Sequence, residues 1–155
     1  MRKNQAIKRE LVADPIYDSK IVTQLINAIM IDGKKSVAQK IVYNSFKIVG
    51  EKTQQLPLEV FEKAIANITP QLEIKTRRIG GANYQVPIEV SATRKITLAI
   101  RWLVSYSQAR YGNSMQDKLA AEIMDAATGN GSSIKKRDEI HRMAEANKAF
   151  AHYKW

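Results

Sequence analysis

Cysteine is absent from the 155 residues, which excludes a disulfide framework and any thiolate zinc site and leaves nothing that needs an oxidising compartment. Long apolar runs are absent as well. No stretch approaches the roughly 18 consecutive apolar residues of a membrane helix, and the opening Met1, Arg2, Lys3, Asn4 and Gln5 has no apolar core of the kind a signal peptide carries. The expectation is a chain without a membrane partner, working in the compartment where it is made. Histidine occurs twice, at His141 and His152, with no carboxylate at ligand spacing, so no metal site is expected. Gly33-Lys34-Lys35-Ser36 superficially suggests a nucleotide loop, but Ala28 stands where the first glycine belongs and Lys35 where Ser or Thr should follow. No Ser-His-Asp spacing is found either, and Asp138-Glu139 reads as a helix-surface pair beside a basic run. Neither an enzyme nor a cofactor is expected.

What is present is positive charge. Twenty-five Lys and Arg oppose 15 Asp and Glu, a net charge of +10, and a chain so biased favours a polyanionic partner. The excess is divided among residues 1–13, 32–52, 71–95 and 132–155, each with a net +3, while the rest of the chain sums to −2. Four separated clusters suit a folded polyanion touched in several places better than one basic tail would.

The four prolines punctuate the chain. Residues 1–17, with Asp14-Pro15 at their end and Arg2, Lys3, Lys8 and Arg9 near their start, have no clean periodicity and read as an extended basic arm. From Ser19, Ile21, Val22, Leu25, Ile26, Ile29 and Met30 form a helical stripe that should end before Gly33. A second helix follows Lys34 and Lys35, with Val37, Ala38, Ile41, Val42, Ile48 and Val49 inward and Lys40, Asn44 and Lys47 outward. Pro57 suits a first helical position, and Leu58, Phe61, Ile65 and Ile68 continue that helix to Pro70. Then the period becomes 2: Leu72, Ile74 and Thr76, and after Gly80-Gly81, Val86, Ile88 and Val90, predict a hairpin over 72–90. Pro87 cannot donate to a ladder, so the ribbon should be an edge or a free arm. Three more helices are expected near 93–110, at 115–128 and roughly at 134–150, the second opened by a Ser114/Asp117 capping pair. The predicted fold is mostly α, a single domain over 1–155 of about six helices with one protruding two-stranded antiparallel hairpin.

The hairpin end gathers Arg77, Arg78, Gly80, Gly81, Asn83 and Tyr84, two guanidinium groups and a ring that can pair with phosphates and stack on an unpaired base. Taken alone it also fits a solvated turn whose arginines keep an edge from pairing. Lys135, Lys136, Arg137 and Arg142 follow a Gly129–Ser133 loop; cations at a helix start oppose the dipole, and a bound phosphate would relieve the conflict, as it would at Lys34 and Lys35. Simple helix-surface solubility is the alternative. Trp102, among aliphatic neighbours, reads as core. The aromatic end, Phe150, His152, Tyr153 and Trp155, should dock on this domain, a neighbouring protein or RNA.

Five stretches resemble one family in order and spacing: Gly33 to Ala38, Pro57 to Glu62, Arg77 to Val90, Ala99 to Leu103 and His141 to Trp155. By them the chain resembles the small-subunit ribosomal protein seven family. The resemblance implies binding to the 3′ major domain of small-subunit rRNA, nucleation of head assembly, and a place at the subunit interface near exit-site tRNA and mRNA. It implies rRNA contacts at Arg2, Lys3, Lys8, Arg9, Lys34, Lys35, Arg77, Arg78, Arg94, Lys95, Lys135, Lys136, Arg137 and Arg142. The hairpin end resembles the family's exit-site element, and small-subunit proteins nine and eleven are implied as neighbours. The setting implied is a cytoplasmic ribosome, with an organelle ribosome left open. An architectural DNA-binding protein using the hairpin as a minor-groove arm is the alternative, although such arms often carry an apolar wedge that this end lacks.

Overall fold

Asp14 closes the N-terminal segment by a contact its sequence position does not advertise. The computed structural model of the protein describes residues 3–4 and 6–154; Arg2 of the expected arm and Trp155 of the aromatic end lie outside the described residues. Asp14 is buried. One carboxylate oxygen accepts from the amides of Ile16 and Tyr17, each at 3.0 Å, the Asx-type turn that an Asp-Pro start favours. The other accepts from the Tyr43 hydroxyl at 2.6 Å. Burial and that donation push the Tyr43 pKa up to about 12. The turn thereby delivers the chain to α1 (Lys20–Ile29) with Tyr17 against the ring of Phe46, 5.0 Å between centroids.

Next come α2 (Lys35–Thr53) and α3 (Pro57–Ile68). The stripe on α1 buries Val22, Leu25, Ile26 and Ile29 as its period requires. The helix stops at Ile29, because the chain then turns through Asp32 and Gly33, both at positive φ. On α2 the buried set is Ala38, Val42, Ser45, Phe46 and Val49. Val37, expected inward, lies in the first turn and is half exposed, while Phe46 fills the centre against Phe61 at 5.2 Å.

The hairpin β1 (Leu72–Ile79) and β2 (Ala82–Glu89) pairs antiparallel from Leu72 opposite Glu89 to Ile79 opposite Ala82. Gly80 and Gly81 have φ of 56° and 87°, the pair of positive values that a two-residue type I′ turn demands. After the hairpin run α4 (Ala92–Gln108), α5 (Met115–Ala127) and α6 (Ser132–Ala146). Ser114 caps α5 as expected, its hydroxyl accepting from the Asp117 amide and donating to the Asp117 carboxylate at 2.6 Å. The last helix ends earlier than its predicted limit near 150. The Asn147 side chain donates to the Met143 carbonyl at 2.8 Å, a local bond that competes with continued helix, and the chain tightens into a 3-10 segment over Lys148–Tyr153.

The core is assembled around α5, which touches α2, α3, α4 and α6. Its inward residues Leu119, Ala120, Ile123 and Ala126 are fully buried, and the alanines let neighbouring helices approach closely. Trp102 is half-buried and leans on this core from its edge. Among the described residues no helix is long and apolar enough to cross a membrane. Replacing Asp14 by Ala strands the Tyr43 hydroxyl and two amides, so the expected cost is about 2 kcal/mol. It should be read as a lower urea midpoint at unchanged denaturant slope.

Candidate nucleic-acid interface

Strand periodicity divides the hairpin end into two chemically different faces. Arg77 lies opposite Tyr84 and Arg78 opposite Asn83, so the first pair shares one face and the second pair the other. Arg78 and Asn83 are exposed. Arg77 and Tyr84 are half-buried, because the 3-10 segment lies over them. Tyr84 meets Phe150 at 5.3 Å and Tyr153 at 5.2 Å between ring centroids, and the Arg77 guanidinium donates to the Tyr153 carbonyl. The two arginines and the ring expected to act together are thus separated: one arginine faces solvent, and the other, with the ring, faces the chain's own aromatic end.

The root of the hairpin is tied to the body by residues expected to bind RNA. Arg94 grips the Glu73 carboxylate with bonds of 2.8 and 3.0 Å. Lys95 donates to the Gln71 side-chain oxygen at 2.5 Å. The Gln71 amide donates to Nε2 of His141 at 3.0 Å, which requires that nitrogen to be unprotonated. Burial pulls the His141 pKa below the ordinary histidine value, with Arg137 adding to the depression and Asp138 opposing it. Pro87, opposite Ile74, is buried. The ribbon is two-stranded, as a proline in a strand allows, yet packed at its root, with α6 along β1 and the 3-10 segment along β2.

At the start of α6 a carboxylate of the protein itself meets the first-turn donors of Ser133. Glu122 on α5 is fully buried, and its Oε1 accepts from the Ser133 amide at 3.0 Å and the Ser133 hydroxyl at 2.7 Å. Its Oε2 takes a 2.6 Å bond from Arg110, whose other nitrogen reaches Asp125 at 2.7 Å. Burial works against the Arg110 charge, but the bonds to Glu122 and Asp125 outweigh it and raise its pKa above the ordinary value. Gly131, at φ +96°, could not carry a Cβ without meeting Glu122 Oε1 at 3.0 Å. The protein's own carboxylate supplies the negative charge that the dipole favours there, so relief of the dipole conflict does not call for a phosphate. That anion comes from Glu122, eleven residues before Ser133 and in a different helix.

The neighbouring cations are partly engaged as well. Lys136 pairs with Glu139 at 3.0 Å and Arg137 with Asp138 at 2.7 Å, as the acidic pair suggested, and Arg137 also donates to the Asn67 carbonyl. Of the fourteen cations singled out, Arg77, Arg94, Lys95, Lys136 and Arg137 therefore have partners inside the fold. Lys3, Lys8, Arg9, Lys34, Lys35, Arg78, Lys135 and Arg142 are exposed, with no side-chain partner among the described residues. Arg9 and Lys35 meet along a groove of about 370 Å³ between the N-terminal segment and α1 and α2. Sequence reading missed Glu122, whose signal was a carboxylate inside the apolar stripe of α5, a place that requires a cation or amide donors nearby. It also missed Arg101, which lines a groove of about 520 Å³ between α1 and α4 with Gln24, Asn27 and Gln108.

The chain matches the family described as Ribosomal protein S7p/S5e over residues 1–148. It is 63% identical over 155 residues to the small ribosomal subunit protein uS7 of Mycoplasma mycoides subsp. mycoides SC, with 100% of each chain covered. It is 62% identical, with the same coverage, to that of Mycoplasma capricolum subsp. capricolum. It is also 59% identical over 154 residues, 99% of each chain, to that of Carboxydothermus hydrogenoformans.

Two outcomes are expected from the buried contacts. Glu122→Ala leaves Arg110 and the Ser133 amide without their buried acceptor, at a cost of about 3 kcal/mol, measurable as a lower denaturation midpoint. His141, with its folded pKa below the unfolded value of 6.5, contributes stability that is fully present above pH 6.5 and is lost as pH falls through the folded pKa. Proton exchange at the Gln71 amide should quicken on acidification, against the ordinary slowing of intrinsic exchange, and the NMR titration midpoint of His141 should lie below 6.5.

Proposed function

The chain belongs to the ribosomal protein S7p/S5e family, and from that premise we propose that it acts as a primary rRNA-binding protein, holding the 3′ major domain and nucleating assembly of the subunit head. It is a structural, non-enzymatic protein of the small ribosomal subunit. In the proposed arrangement it sits on the cytoplasmic ribosome at the subunit interface, beside exit-site tRNA and the mRNA, with small-subunit proteins nine and eleven as neighbours.

One observation carries the RNA-binding part: eight exposed cations without a side-chain partner among the described residues lie on separate elements of one helical body. Lys3, Lys8 and Arg9 are on the N-terminal segment, Lys34 and Lys35 at the α1–α2 corner, Arg78 at the hairpin end, and Lys135 and Arg142 on α6. Each cation that neutralises a phosphate releases condensed counterions, which drives binding and makes it salt-dependent. Cations held apart on a packed body select a polyanion whose phosphates match their spacing, so structured RNA is favoured over a chain of uniform charge. The engaged residues Arg94, Lys95, Lys136 and Arg137 support the reading indirectly, since they fix the elements that carry the free ones.

The test is binding of the full chain to a 3′ major-domain rRNA fragment, with equal-length duplex DNA and scrambled RNA as competitors across a salt series. The rRNA fragment should win by orders of magnitude at physiological salt. Lys34→Ala with Lys35→Ala should weaken binding and flatten the slope of log K against log salt by roughly two. Equal affinity for all three ligands would overturn the ribosomal RNA role, and preference for duplex DNA would favour an architectural DNA binder.

A further inference from the structure

The 3-10 segment over Lys148–Tyr153 has no buried residue, contributes nothing to the apolar core, and nonetheless packs on Arg77 and Tyr84 on one face of the hairpin end. The face it covers is the one built for a nucleotide. Arg77 and Tyr84 are cross-strand partners, so a guanidinium and an aromatic ring emerge side by side, the pairing that grips a phosphate while a base stacks beside it. The groups that occupy this face imitate such a ligand closely. Phe150 and Tyr153 lie nearly parallel to each other at 17° and 5.8 Å and present their rings to Tyr84 at 5.3 and 5.2 Å. The Tyr153 carbonyl supplies an oxygen acceptor to Arg77. A ring and an oxygen acceptor are what a nucleotide would bring.

We propose that the C-terminal 3-10 segment is a displaceable internal stand-in for an unpaired nucleotide, masking the Arg77–Tyr84 face of the hairpin until RNA replaces it. The proposal rests on the RNA-binding reading and adds to it a second, concealed face. The other face carries Arg78 and Asn83, both exposed. The latch is built to give way: its backbone bonds are of the 3-10 kind, Phe150 to Asn147 at 3.0 Å and Lys154 to Ala151 at 3.3 Å, with poorer geometry than an α-helix offers. A closed latch lowers apparent affinity by the fraction of time the face is open, so only a ligand that supplies both a base and a phosphate displaces it efficiently.

The experiment compares the full chain with a variant carrying Phe150→Leu and Tyr153→Leu, which removes the rings, leaves the charge unchanged and keeps the backbone carbonyl. A short single-stranded RNA of mixed sequence should bind the variant at least roughly threefold more tightly than the original chain, and adding Tyr84→Leu should cancel the gain. In the original chain, hydrogen exchange at the Phe150 and Lys154 amides should speed up when the 3′ major-domain rRNA fragment is bound. Unchanged or weaker RNA binding by the variant, or slower exchange at those amides on binding, overturns the latch. If the original chain still binds the rRNA fragment, that failure leaves the RNA-binding reading standing; if it binds neither RNA, both fall together.

Discussion

The carboxylate of Glu122, fully buried, joins three helices, and the position of the hairpin depends on it. Removing an ionised group from water is costly unless every lone pair finds a donor, and here the donors come from two directions. Arg110, just past the end of α4, supplies the opposite charge at 2.6 Å, while the first turn of α6 supplies an amide and a hydroxyl. Neither neighbour can shift without stranding the carboxylate. Because α6 carries His141, and His141 accepts the Gln71 amide at the foot of β1, the constraint passes from the core to the hairpin through one helix.

A two-stranded ribbon alone is marginal in water, and this one is braced on both sides of its root. Leu72 and Ile74 of β1 lie on the face opposite to that of Val86 and Ile88 of β2, since they stand opposite Glu89 and Pro87. A ribbon with apolar residues on both faces must be covered on both. Arg94 and Lys95 complete the brace at the start of α4. Arg94 and Lys95 near the root are consumed in holding the ribbon, and at its end Arg77 is engaged while Arg78 is exposed. A high net charge therefore overstates the number of cations free to contact nucleic acid.

The order of elements, the hairpin and its Gly-Gly turn were readable because each depends on local chemistry. Periodicity marks the stripe on α1, Pro57 starts α3, and glycine adopts the two positive φ values at residues 80 and 81 without steric cost. Which cations are free was not readable, because that is decided by contacts between residues distant in sequence. Arg94 meets Glu73 and Arg137 meets Asn67, and nothing in the local pattern of either arginine distinguishes it from Arg78 or Arg142. The Glu122 case was half readable. A carboxylate within Leu119, Ala120, Ile123 and Ala126 announces that donors must be near, but not that they belong to Ser133 and Arg110.

Bracing and exposure are linked by entropy. A flexible arm that orders on RNA gives up conformational freedom at binding, roughly 1–2 kcal/mol for each backbone residue fixed, and that loss is subtracted from whatever its charges gain. Here the loss at the hairpin root is met during folding, through Glu73, Gln71, Pro87 and His141, so Arg78 stands on an element that is already placed. The N-terminal cations stand at the opposite extreme. Lys8 and Arg9 precede the Asp14 turn and have no regular structure, so any binding through them would carry the cost of ordering that segment. For any polyanionic partner, cations on the braced elements would therefore dominate specificity, because only fixed charges can penalise a polyanion of the wrong shape, while unordered ones would add affinity that depends little on it.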